Sequence, residues 1–131
     1  MKKVLILEDD TRIAAALAIR LSAAGYDVST ASDGLQGIHQ VVEERPDLLV
    51  MDIWMPVGLG FSVAQRMQGL GLKGIPIIFI TAHGDAKMRI QAMRDGAVEF
   101  LTKPFDNAVL LETVHAAVDD HAKTLRLWNS K

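Results

Sequence analysis

Runs of four apolar residues recur along this chain, and each is closed by a polar residue. Val4 to Leu7 ends at Glu8, Leu48 to Met51 ends at Asp52, and Ile77 to Ile80 ends at Thr81. Such runs are too short for helices. They read as strands buried on both faces, since a half-exposed strand would alternate apolar with polar residues. Between them, apolar residues fall at helical spacing. Ile13, Leu17, Leu21 and Ala24 share one helical face, and Leu35, Ile38 and Val42 share another. The same spacing recurs in Val63, Met67 and Leu70, in Ala86, Ile90, Met93 and Ala97, and in Leu110, Val114, Ala117 and Leu125. Tyr26 to Ala31 and Glu99 to Thr102 supply two further strands, the second leading into Lys103.

Local signals set the boundaries. Asp10 or Thr11 caps the first helix and Gly25 closes it. The second helix spans residues 33–45 and stops before Pro46. Gly96 lies near the end of the fourth helix, and the last begins at Asn107. Strands and helices therefore alternate, five of each, which predicts an α/β fold with a parallel sheet covered on both faces.

Bulk properties narrow the functional classes. The chain has 131 residues, fit for one domain with its own core. A formal net charge of −2 and a pI near 6.0 give no support to nucleic-acid binding by this chain. With no cysteine, disulfides and thiol chemistry are excluded. No apolar run approaches the ~20 residues of a membrane span, and MKKVLILEDD has too short an apolar stretch for a secretory signal. The expectation is a cytoplasmic protein. No linker interrupts residues 1–124, while the tail at 125–131, with Leu127 and Trp128, extends the last helix or begins a linker.

Open α/β sheets bind ligands beyond the C-terminal ends of their strands. Those ends deliver Glu8 and Asp9, Asp52, Thr81 and Lys103 to one rim. Carboxylates gathered there repel, since two unit charges ~4 Å apart cost roughly 4 kcal/mol at an effective dielectric near 20. Lys103 offers one compensating charge. A hard divalent cation offers two, and carboxylates with a backbone carbonyl and water suit Mg²⁺. Zinc is disfavoured, because the cluster holds neither Cys nor paired His. With its charge neutralised, Asp52 is a candidate nucleophile toward a phosphoryl group. Taken singly, each residue is ordinary strand-end chemistry; the convergence of four strands on one rim is what carries the reading.

These residues also match a known pattern. LILEDD at 5–10, LLVMDIWMP at 48–56, ITAHGD at 80–85 and FLTKPF at 100–105 fall in the order found in receiver domains of bacterial two-component response regulators. Residues 1–124 resemble that family. The stretch from Thr81 to Phe105 looks most similar to receivers of the nitrogen-fixation regulator type, whose full-length members carry a C-terminal DNA-binding domain. The resemblance implies a flavodoxin-like, doubly wound five-stranded sheet in the order 2-1-3-4-5 with five helices. It implies Asp52 as phosphoacceptor, and Mg²⁺ held by Asp9 directly, by Glu8 through water, by Asp52 and by the backbone carbonyl of Trp54. It implies Lys103 as the phosphate-binding lysine before a cis Pro104, and Thr81 and Phe100 as switch residues. The phosphodonor would be a sensor histidine kinase. A homodimer through the face of the fourth helix, fifth strand and fifth helix is a further expectation, and near that face Met88 is expected to be exposed. The domain would assist its own phosphorylation without being a turnover enzyme.

Two departures stand out. After Pro56 the family commonly shows Gly, an apolar residue, Asp or Asn, then Gly, where this chain has Val57, Gly58, Leu59 and Gly60. Trp54 is bulky and placed to shield the site, while His83 is expected to be exposed. Competing readings fit less well. An Asp-nucleophile phosphatase would want an acid two residues after Asp52, where Trp54 stands. A dinucleotide-binding domain would want G-x-G-x-x-G after the first strand, where EDDTRI stands.

Overall fold

The computed structural model describes residues 1–54, 60–72, 74–82, 86–94 and 97–129, with residues 60–61 and 120–129 described by backbone alone. In chain order the elements are β1 (Lys3–Leu7), α1 (Thr11–Ala23), β2 (Asp27–Ala31), α2 (Gly34–Glu44) and β3 (Leu48–Asp52). They continue with α3 (Gly60–Gly69), β4 (Ile77–Thr81), α4 (Ala86–Arg94), β5 (Ala97–Thr102) and α5 (Asn107–Asn129). The strands form one parallel sheet in the order β2-β1-β3-β4-β5, as the resemblance implied. No helix among the described residues is long and apolar enough to cross a membrane.

The apolar runs become strands because both their faces are covered. Every residue of β3 and of β4 is buried. On one side of the sheet, Leu7, Met51 and Phe79 pack with Val41 of α2, Val63 and Met67 of α3, and Ala92 of α4. On the other, Ile6, Val50 and Ile78 pack with Leu17 and Leu21 of α1 and with Leu110 and Val114 of α5. Burying one such side chain contributes roughly 1.5–3 kcal/mol, so these paired layers are the main source of stability.

Several helix boundaries follow the sequence signals. Asp10 caps α1, its carboxylate accepting the Arg12 N–H at 2.9 Å and the Ile13 N–H at 3.3 Å. Gly25, with φ +99°, closes that helix in the left-handed conformation. The end of α2 is a left-handed Arg45 immediately before Pro46.

Three expected helix faces need correction. In α2 the buried line is Gly34, Gly37 and Val41; of the expected face Ile38 packs partly buried against the core, while Leu35 and Val42 point outward. Gly37 is the reason: a Cβ built there would stand 2.2 Å from Leu7 Cδ2, so α2 lies against β1 where only glycine fits. In α4, Ile90 and Met93 are about half exposed, whereas Ala92 is buried and Met88 is partly buried against the core rather than exposed. Ala97 belongs to β5, so it does not share a helical face with Ala86, Ile90 and Met93. Leu70 lies past the end of α3 and is exposed; Leu72 takes the buried position. β5 also begins two residues earlier than expected, at Ala97. Gly96, His83 and the Val57–Leu59 departure lie outside the described residues, as do the side chains of Leu125, Leu127 and Trp128.

Candidate functional site

Among the described residues, the buried polar or charged side chains are Glu8, Asp52 and Thr81. Each stands at or just past the C-terminal end of a central strand. Parallel strands carry their C-termini to one edge, so β1, β3 and β4 deliver these groups to one rim. Lys103 reaches the same rim from the loop after β5. Its backbone N–H donates to the Thr81 carbonyl at 2.7 Å, continuing the β4–β5 ladder, and the Lys103–Pro104 peptide is cis, as expected.

The Lys103 ammonium bridges two carboxylates. Nζ donates to Glu8 Oε1 at 2.5 Å and to Asp52 Oδ2 at 3.0 Å. Asp52 Oδ1 accepts the Trp54 N–H at 3.0 Å, which fixes the carboxylate from its other side. Oε2 of Glu8 accepts the Asp10 N–H at 3.4 Å. Asp9 is exposed, yet one oxygen from each of Glu8, Asp9 and Asp52 lies within 4.8 Å of the others.

Burial dominates the electrostatics. It pushes the Glu8 carboxyl up to about 7. Lys103 opposes that rise, while the Asp52 charge and a hydrogen bond with Asp9 add to it. For Lys103, burial alone would lower the ammonium, but its hydrogen bonds to Glu8 and Asp52, and their charges, hold it above the ordinary range. One ammonium thus bridges two of the three clustered carboxylates. Such a set of hard oxygen donors, two of them buried and underneutralised, fits a magnesium-sized divalent cation.

Of the residues predicted from sequence, Glu8, Asp9, Asp52 and Lys103 are brought together, and Thr81 is buried at the end of the adjacent strand. Trp54 is about half exposed and contributes a backbone N–H to Asp52, a contact that residue spacing does not encode. Phe100 is 4 % exposed, its ring packed inward beside Phe79 and Ala92. Arg89 of α4 was also missed as a neighbour of Phe100; its guanidinium lies 6.0 Å from the ring centre. An arginine on a helix that packs beside the final strand was the available signal.

Comparison with known proteins agrees with this geometry. A family model described as "Response regulator receiver domain" matches residues 4–115. The DNA-binding dual master transcriptional regulator RpaA of Synechocystis is 39% identical over 117 residues, covering 88% of this chain and 48% of that protein. A response regulator receiver domain protein from Methanospirillum hungatei superposes with a TM-score of 0.90 at 26% identity, covering 95% of this chain and 98% of that one. The beryllofluoride-activated NtrC4 receiver domain dimer superposes with a TM-score of 0.87 at 30% identity, covering 92% of this chain and 99% of that one. The chain spans about half the length of the curated relatives it matches, and these are transcriptional regulators of another type. The nitrogen-fixation subfamily suggested by residues 81–105 is therefore not supported.

Proposed function

The chain belongs to the response regulator receiver domain family, and from that premise we propose that Asp52 accepts a phosphoryl group from the phosphohistidine of a sensor kinase. Its role as a receiver in two-component signalling follows from the family; the assignment of residues is our reading. The observation that carries it is Lys103 Nζ lying 3.0 Å from Asp52 Oδ2, beside two further carboxylates that need a cation.

In the proposed transfer, an Asp52 oxygen attacks phosphorus and an O–P bond forms. The P–N bond to the kinase imidazole breaks, its electron pair returns to the nitrogen, and that nitrogen takes a proton from solvent. Glu8, Asp9, Asp52 and the Trp54 carbonyl would hold Mg²⁺, which supplies positive charge facing the phosphoryl oxygens. Lys103 supplies the rest, and because its ammonium already bridges the site, little reorganisation is needed when charge arrives. The Trp54 N–H keeps the Asp52 carboxylate oriented. Thr81 offers its hydroxyl to the new oxygens, and Phe100 responds by repacking. Water later attacks phosphorus, the O–P bond to Asp52 breaks with its electron pair returning to the carboxylate, and inorganic phosphate leaves with the water's oxygen. Each turnover consumes the protein's own acyl phosphate, so this is assisted self-modification rather than catalysis of a free substrate.

The same reading puts the domain in the cytoplasm with its kinase. Residues 1–124 form the receiver, and the output is an effector domain or partner like those of the transcriptional regulators it resembles. Dimerisation through α4, β5 and α5 is the corresponding output step. The test is labelling from a small-molecule phosphodonor with and without EDTA. Labelling should require Mg²⁺ and vanish in Asp52→Asn; equal labelling of the two proteins overturns the proposal.

A further inference from the structure

Away from the acidic rim, a second cluster ties α4 to β5. Arg89 Nη2 donates to Glu99 Oε1 at 3.2 Å, and Nη1 donates to the Phe100 carbonyl at 3.4 Å. The guanidinium carbon stands 6.0 Å from the centre of the Phe100 ring. Glu99 Oε1 also accepts the Phe100 N–H at 2.9 Å. β5 is one of the two edge strands, paired only with β4. Both backbone polar groups of Phe100 are therefore occupied by side chains instead of a neighbouring strand. The Phe100 ring points inward, 4 % exposed, and Met88, the residue before Arg89, packs against the same core cluster.

A half-exposed ion pair alone contributes little. This one differs because a single guanidinium engages a carboxylate, a carbonyl and an aromatic ring together. The planar fork of arginine permits that; the point charge of lysine does not. We propose that Arg89, anchored by Glu99, is a positioning residue that holds Phe100 inward and fixes α4 to β5. Changes at the phosphorylation site then reach the surface of α4 through this clasp. The inference rests on the reading of Asp52 and Phe100 given above.

Two measurements test it on the full chain. The first is aromatic NMR of the metal-free protein, reading the Phe100 ring shifts as a measure of the inward population. Arg89→Gln and Glu99→Gln should each raise the outward fraction about fivefold, the range reached by a partly exposed ion pair and cation–π contact together. The double variant should be no worse than either single one, and Arg89→Lys should restore only part of the shift. The second is the apparent Kd for beryllofluoride with Mg²⁺, expected to weaken by a similar factor in both single variants. Wild-type Phe100 shifts in both folded single variants, or additive effects in the double, overturn the clasp. Changed shifts in a protein whose wild type never binds beryllofluoride would leave the clasp standing and sink the phosphoacceptor reading instead.

Discussion

At the scale of single residues, the buried carboxylate of Glu8 controls the pH behaviour of the site. Its pKa in the fold is about 7, against an ordinary value of 4.5. Between those values the folded protein binds more protons than the unfolded chain. Stability from this group is therefore full below the lower value, falls as pH rises through the window, and is flat above it. The loss is at most about 3 kcal/mol. Thermal melts of metal-free protein should show Glu8→Gln gaining on wild type between pH 5 and pH 8, with Mg²⁺ at pH 8 recovering part of the wild-type deficit. Parallel melting curves across that range would refute it. Lys103→Met removes the shared cation and leaves Glu8 facing Asp52. Removing one partner of a buried pair costs roughly 3–5 kcal/mol, so the metal-free variant should lose about 3 kcal/mol at pH 8. The loss should shrink at pH 5, where Glu8 takes up a proton; urea titrations at both values measure the difference. These residues were legible in sequence because a strand end in an α/β sheet has a known destination. The Trp54 N–H to Asp52 and the Arg89 clasp were not, since both depend on local backbone and side-chain directions that spacing does not encode.

At the scale of elements, strands were easier to read than helix faces. A strand buried on both sides announces itself by an unbroken apolar run, as in β3 and β4. A helix face depends on which residues make the closest approach, and there small residues outrank large ones. Leu35 and Val42 looked like the core face of α2, but Gly37 sits closest to the sheet and turns them outward. The consequence is measurable. Gly37→Ala would gain helix propensity, yet its Cβ meets the fully buried Leu7 side chain. Overpacking of this kind costs about 1–3 kcal/mol, enough to outweigh the propensity gain of roughly 1 kcal/mol. The variant should therefore melt lower than wild type, whereas a higher melting point would mean that α2 can move away from β1 at no cost.

At the scale of the whole molecule, the strand order brings residues separated by most of the chain to one edge, and it leaves a different edge unfinished. Around α4, β5 and α5 the exposed large apolar side chains are Ile90, Met93, Val98 and Val109. Lys87, Arg89 and Arg94 give α4 three exposed cations, while Asp106 is exposed at the start of α5. A two-fold related copy would cover the apolar residues and bring the cations of one α4 toward Asp106 of the other copy, the self-complementary arrangement a symmetric dimer needs. Because Arg89 belongs to this face and contacts Phe100, which is buried on the strand that leads to Lys103, occupancy of the acidic rim should, on the reading proposed above, control how well the two copies fit. Sedimentation velocity should therefore show a rise in dimer fraction when beryllofluoride and Mg²⁺ are added to wild type. Ile90→Asp or Met93→Asp should abolish that rise while leaving beryllofluoride affinity within about twofold, since neither side chain reaches the acidic cluster. An unchanged monomer population in wild type at concentrations of hundreds of micromolar would show that this face serves another partner, and that the coupling from Asp52 ends at α4.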